Sequence, residues 1–372
     1  MDIALIEPFY SGSHQKWADG LKKYSAHDIT LFTLPGRFWK WRMHGGAITL
    51  AQQFLELNHS FDLIIATDML DLPLFNALIR KQIGDTPILL YFHENQITYP
   101  WSPTDKDPKL GRDQNYAFIN YSSALAADHI AFNSNYHQQS FCNAIPDFLN
   151  QFPDHQNVFT IEQIKSRSTV LPLGMDFSAF ENIPAKVNDG TAKIIWNHRW
   201  EFDKNPEVFF KPLLQLAYDG LPFELIVLGK RNKKSPEIFN VVEEKLKDRI
   251  IHFGNVEEHS KYLELLMSAD IAPTTSNQDF FGISVVEAIY ANCHPLLPNR
   301  LAYPMHVPES EKRNVFYNSE EELKRKIVES IYKIDVIRNT DYSSWVEQYD
   351  WRSMGSVYDE YFEKITNPMS FS

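Results

Sequence analysis

Short, uniformly apolar runs alternate with amphipathic stretches along most of this chain, and that alternation leaves very few folds open to it. The first runs are Ile3–Ile6, Ile29–Leu34, Leu63–Ala66, Ile88–Phe92 and His129–Phe132. Helical patterns lie between and after them, over His14–Tyr24, Ile48–Leu57, Leu72–Lys81, Tyr116–Ala126 and Tyr136–Ala144. A strand that is apolar on both faces is buried on both faces, which marks a parallel sheet. Successive βα units of this length build a doubly wound α/β domain. Residues 146–168 are polar and irregular, Val170–Gly174 reads as a last short strand, and Glu181–Gly190, with Pro184, Asn188 and Asp189, reads as a linker.

A second series follows. Its strands are Ile194–Asn197, Glu224–Leu228, Ile250–Phe253, Ile271–Thr274 and His294–Leu297, with helices near 206–218, 235–247, 259–268 and 282–291. The 372 residues fit two domains at ~150 residues each. The expected fold class is therefore α/β, two doubly wound Rossmann-like domains over residues 1–185 and 186–350. Met354, Val357, Tyr358, Tyr361, Phe362 and Ile365 repeat at helical spacing, so a final helix over 351–372 is expected to pack back toward the first domain.

Acidic residues exceed basic ones by 48 to 36, a net charge of -12, which argues against a protein that coats nucleic acid non-specifically. A local basic patch stays open. Cys142 and Cys293 are the only cysteines, so a disulfide framework is not expected and a reducing cytoplasm is. No stretch reaches the ~18 apolar residues that a membrane-spanning helix needs, and no membrane partner is expected.

Doubly wound domains bind ligands at the carboxyl ends of their strands, and two facing domains would place both sets of ends across one cleft. Chemistry is therefore sought in the loops that follow strands. Arg199 and Lys204, five residues apart after the first strand of the second domain, flank a helix that starts near Pro206. Two cations beside a helix N-terminus suit a phosphate or diphosphate. Asp279 and Glu287, eight apart, bracket Phe281, Gly282 and Ile283 at another helix start, and carboxylates there can accept hydrogen bonds from sugar hydroxyls. His93, Glu94 and Asn95 end a first-domain strand, where His93 can donate a hydrogen bond or act as a base. Ser11-Gly12-Ser13 makes a turn able to approach a ligand, although it lacks the three-glycine dinucleotide fingerprint. Arg37, Trp39, Lys40, Trp41 and Arg42 interleave cations with rings, as an RNA surface would. Lys106, Lys109 and Arg112 could extend that face, while the acidic pair Asp105 and Asp107 reads as a chance match to metal-binding motifs.

Together these residues resemble the retaining family 4 glycosyltransferases of the GT-B fold. That resemblance implies that Arg199 and Lys204 hold the donor diphosphate, that Asp279 and Glu287 hold sugar and ribose hydroxyls, and that His93 contacts the transferred sugar. Asp279 departs from the glutamate usual there. Glu7-Pro8-Phe9-Tyr10-Ser11-Gly12-Ser13-His14, Tyr91–Gln96, Phe132-Asn133-Ser134, His198-Arg199-Trp200-Glu201 with Asp203-Lys204, and Phe280-Phe281-Gly282 with Glu287 look like the group that includes the tRNA-queuosine alpha-mannosyltransferases. This similarity implies GDP-mannose as the donor nucleotide sugar and queuosine-containing tRNA, tRNA-Asp, as acceptor and partner. Gly12, Ser13, Gly229, Lys230, Asn255 and Val256 would join the donor site. No cofactor is expected, and no metal, because two side-chain cations already face the diphosphate. The alternatives are a glycosyltransferase with a small-glycan or lipid-linked acceptor, and a non-catalytic tRNA- or nucleotide-binding module.

Overall fold

The computed structural model describes residues 1–184, 190–233 and 235–367. Among them the strands form two parallel six-stranded sheets. The first contains β1 (Asp2–Tyr10), β2 (Asp28–Pro35), β3 (Leu63–Thr67), β4 (Ile88–Phe92), β5 (His129–Phe132) and β6 (Ser168–Val170), in the order β2-β1-β3-β4-β5-β6. The second contains β7 (Lys193–Trp196), β8 (Glu224–Leu228), β9 (Ile250–Gly254), β10 (Ile271–Pro273), β11 (His294–Pro298) and β12 (Phe316–Tyr317), in the order β12-β11-β10-β7-β8-β9. Every residue of β3, β4 and β7 is buried, as strands covered on both faces must be. In each sheet the winding reverses beside the first strand, between β1 and β3 and between β7 and β10. Those are the crevices where doubly wound sheets bind ligands.

By internal contacts the chain divides into one unit of Met1–Asp176 with the segment from Tyr349 onward, and a second unit of Phe177–Gln348. The boundary expected at residues 185 and 186, like half of the expected linker, lies outside the described residues. The division falls earlier because Phe177 stacks on Tyr290 at 3.8 Å and so belongs to the second unit.

Three local expectations are corrected. The helix expected from Ile48 begins at Trp39, because Gly45 and Gly46 do not interrupt it; Gly45 instead leaves room for the Trp41 ring. Within the stretch read as irregular, Thr160–Ser166 is helical, since it buries Ile161 and Ile164 in the first core. The last strand of the first sheet is Ser168–Val170, ahead of the expected Val170–Gly174.

The Trp351–Thr366 helix buries Trp351, Met354, Tyr358 and Phe362 within the first unit. The Tyr358 hydroxyl accepts from Trp17 Nε1 at 2.9 Å and donates to the carbonyl of Pro172 at 2.9 Å. The Trp351 ring lies where two glycines leave space: a Cβ on Gly20 would sit 2.0 Å from it, and one on Gly174 would sit 2.3 Å away. Gly174→Ala is therefore expected to destabilise the protein by about 1–3 kcal/mol, by overpacking. Combined with Trp351→Leu, it should cost much less than the sum of the two changes. Denaturant unfolding of the two single variants and the double variant measures this.

Candidate active site

A charged cluster of the second unit forms where β7 and β10 end. The turn after β7 winds Phe202–Lys204 into a single 3-10 turn, which folds Lys204 inward beside Asp203. The Lys204 ammonium reaches Asp279 Oδ1 at 2.8 Å, Asp203 Oδ2 at 3.2 Å and the carbonyl of Gln278 at 2.8 Å. Tyr303 donates its hydroxyl to the other Asp279 oxygen at 2.5 Å. Burial alone would raise the Asp279 pKa, but the Lys204 charge outweighs it and holds the carboxyl below its ordinary value. Arg199, in contrast, is exposed, with Glu201 at 3.2 Å and Asp203 at 4.0 Å. The pair expected to face a diphosphate thus divides into a rim cation and a buried one.

Around Arg199 lies a depression of about 440 Å³, lined among others by Asn197, His198, Gly229, Lys230, Asn255 and Val256. That volume suits a small-molecule ligand. Gly229 closes its floor at φ +132°, and a Cβ there would stand 2.5 Å from the Trp200 ring and 2.8 Å from the carbonyl of His198. Only glycine fits both conditions. His198 is buried; burial, with Lys204 and Arg199 nearby, pushes its pKa down to about 4, so the ring is neutral and meets Ser284 Oγ through Nδ1 at 2.8 Å. Tyr262, which also lines the depression, donates its hydroxyl to Glu287 at 2.7 Å.

Glu287 is buried in the second turn of the Ile283–Tyr290 helix, whose N-cap is Gly282 at φ +90°. Phe281 turns inward: it is buried, stands edge-on to His306, and its carbonyl accepts from His306 Nε2 at 2.7 Å. Its expected donor contact is therefore not one its side chain can make in this arrangement.

In the first unit, His93 follows β4 and is buried against Trp17 and Tyr91. Gly12 (φ +55°) and Ser13 begin the Gly12–Tyr24 helix at the surface. Glu94 accepts from Gln96 Nε2 at 2.9 Å, while Asn95 spends its Oδ1 on the N–H groups of Ile97 and Thr98 and so serves the turn. Glu7, His14 and His93 bring ligand-capable atoms within 4.8 Å of one another; His14 Nδ1 meets Glu7 Oε2 at 3.0 Å, and the His93 ring lies 4.2 Å from that of His14.

The cation–aromatic cluster separates into two parts. Lys40 is clamped by Asp105 at 2.7 Å and Asp107 at 2.5 Å, and lies over the rings of Trp39, Trp101 and Tyr116. The acidic pair read as a chance match thus has a job, and Lys40 is corrected from a phosphate contact to a half-buried anchor paired with both carboxylates. Trp39 packs half-buried with Trp101 and Tyr116. Facing solvent are Arg37, Trp41 (63% exposed) and Phe38 (75% exposed), with Lys106, Lys109 and Arg112 exposed further along the chain. Phe38 holds φ +55°, a strained conformation for a bulky residue. Arg42 donates Nε to the carbonyl of Pro35 at 3.1 Å.

Sequence reasoning gave no role to His198, Tyr262, Ser284 and Tyr303, or to Glu7, His14 and Asp68 in the first unit. A carboxylate directly after an apolar strand was the available signal for Asp68. Nothing local marks Tyr262, which reaches Glu287 from a separate helix.

Residues 2–175 match the family model described as tRNA-queuosine alpha-mannosyltransferase N-terminal, and residues 179–334 match glycosyl transferases group 1. A tRNA-queuosine alpha-mannosyltransferase of Drosophila melanogaster is 34% identical over 334 residues, spanning 87% of this chain and 85% of that relative. Among solved structures, sucrose-phosphate synthase of Thermosynechococcus elongatus superposes with a TM-score of 0.70 at 13% identity, covering 99% of this chain and 100% of the other. A glycosyltransferase of Rickettsia africae gives 0.67 at 16%, covering 100% and 99%. The fold is the GT-B fold.

Lys204→Met leaves two carboxylates in the interior without their cation, and is expected to cost about 3–5 kcal/mol of stability. Arg199→Ala, at an exposed site, should stay within about 0.5 kcal/mol of the parent. Urea unfolding of both variants measures the contrast.

Proposed function

Because this chain belongs to the tRNA-queuosine alpha-mannosyltransferase family, we propose that this glycosyltransferase moves mannose from GDP-mannose to the cyclopentenediol of queuosine at the wobble position of tRNA-Asp, in the cytoplasm. The observation that carries the reading is the depression beside β7, lined by the exposed Arg199, in the unit where the buried Lys204 pairs with the half-buried Asp279. The nucleotide occupies the depression along Gly229, Lys230, Asn255 and Val256, and its phosphates meet Arg199 and the amide-rich helix start at Gly282. Asp279 and Glu287 accept hydrogen bonds from hydroxyls of the sugar and ribose.

The bond from the anomeric carbon to the diphosphate breaks while a queuosine hydroxyl adds on the same face, so configuration is retained. The hydroxyl proton passes to the departing phosphate, which leaves as GDP. No carboxylate is required as a glycosidase-like nucleophile. Arg199 stabilises the negative charge that grows on the leaving group, and Lys204 adds its field from behind Asp279. These cations take the part that a divalent metal plays elsewhere, so turnover needs no added metal. Arg199→Ala should lower turnover by roughly 10²–10³-fold. Incubation with GDP-mannose and queuosine-containing tRNA, followed by nucleoside mass spectrometry, tests the activity; an unchanged queuosine pool with the parent protein sinks this reading.

On the acceptor side, Arg37 supplies charge while Phe38 and Trp41 offer rings to unstacked anticodon-loop bases. This favours RNA over a lipid-linked acceptor. Among the described residues, no helix is long and apolar enough to cross a membrane. Arg37→Ala with Trp41→Ala should weaken tRNA binding and flatten its salt dependence, while GDP binding is kept. A filter-binding salt series in which both proteins bind tRNA alike would exclude this surface.

A further inference from the structure

The switch point of the first sheet holds a buried ion pair to which the reading above gives no role. Glu7, on β1, is fully buried; its Oε1 accepts the Phe9 N–H at 2.7 Å and its Oε2 accepts His14 Nδ1 at 3.0 Å. The His14 ring lies 4.2 Å from the ring of His93. The His93 backbone is fixed at both ends, its N–H donating to Asp68 Oδ1 at 2.7 Å and its carbonyl accepting from Asn133 Nδ2 at 2.9 Å. Its ring is walled by Trp17 at 4.7 Å and Tyr91 at 4.9 Å. After all this, His93 Nε2 is buried with no hydrogen-bond partner among the described residues. An orphaned ring nitrogen in so ordered a setting calls for a ligand. Stability does not explain the ion pair, because two well-packed apolar side chains commonly hold such a place as well or better.

We infer that Glu7 and His14 are positioning residues: their ion pair sets the orientation and hydrogen-bonding state of His93, which offers Nε2 to a substrate hydroxyl. The hydroxyl rests on the glycosyltransferase reading; the coupling among the three side chains does not. Burial acts against a charge on His14, but the Glu7 carboxylate, with Asp68 and Glu94, outweighs it and pushes the ring up to about 9. Burial, then the His14 charge, then His137 hold His93 well below the usual histidine value. The groups around the pair are Glu7 from β1, Asp68 after β3 (pushed up to about 8 by burial), Glu94 after β4, and His137 from the Asn135–Leu149 helix. Trp17 of the Gly12–Tyr24 helix, against which Tyr358 packs, completes the wall.

The sign follows from these charges. A cationic His14 opposes protonation of His93, so its removal raises the His93 pKa. A neutral His93 is then kept only at higher pH, and the acidic limb of the activity profile moves upward in pH.

The full-length His14→Gln variant tests this. Expected are a kcat lower on the order of 100-fold with the donor KM nearly unchanged, an acidic limb displaced to higher pH, and a raised His93 pKa in histidine NMR titration. Glu7→Gln should reproduce the kcat loss. An unmoved acidic limb and an unmoved His93 titration in folded His14→Gln overturn the inference. If that variant does not fold, the apolar pair Glu7→Leu with His14→Phe replaces it. That pair is expected to fold, lose turnover and show the raised His93 pKa; failure to fold would make the ion pair structural and overturn the inference. His93→Ala separates the two layers: full turnover there removes His93 from the substrate, whatever its titration in His14→Gln.

Discussion

A parallel sheet covered on both faces leaves polar side chains only the ends of its strands, and the carboxyl ends at a switch point are where ligands bind. The strands here are apolar almost throughout, and one buried ion pair, Asp270 with Arg338, sits at the amino end of β10. Two further clusters lie where strands stop and the winding reverses: Glu7, His14, Asp68 and His93 in one sheet, Asp203, Lys204 and the half-buried Asp279 in the other. The positions of the chemical groups are therefore consequences of the topology rather than independent choices.

The two clusters solve opposite electrostatic problems. Around Lys204 one ammonium is shared between two carboxylates and a carbonyl, which keeps Asp279 ionised in the interior. Around His14 the carboxylates sustain a cation, and burial, together with that cation, keeps a neighbouring imidazole neutral. Both arrangements hold a charge that burial alone would extinguish. Such groups are poor stabilisers and good instruments, since a fixed charge in a dry setting acts on a ligand with little screening.

Much of this was legible in the sequence. Strand runs such as Leu63–Ala66 and Ile88–Phe92 declared themselves because burial on both faces removes polar residues, and the placement of Arg199 and Lys204 in the turn after β7 was visible in the same way. Less legible was whatever depends on partners distant in the chain. Lys40 looked like a solvent-facing cation until Asp105 and Asp107 closed on it, and Trp39 and Trp41, two residues apart, took opposite fates because helical geometry sends them to different sides. The helix itself was hidden by Gly45 and Gly46, which read locally as a break and act as clearance for a ring and for Pro8. Tyr262 carried no local mark, since its meaning comes from Glu287 on another helix.

The seat of Trp351 carries a consequence for how the molecule is made. Gly20 and Gly174 shape a slot in the first unit that is filled only by a side chain arriving after the entire second unit. During synthesis from the N-terminus, the second unit emerges whole while the first still waits for its last helix. The portion translated earliest is thus the one finished last. Until Trp351 and Tyr358 clear the ribosome, the indole of Trp17 has no hydroxyl from Tyr358 to meet and the aromatic wall behind His93 stays open. A nascent chain can thus complete its second unit before its histidine cluster is enclosed.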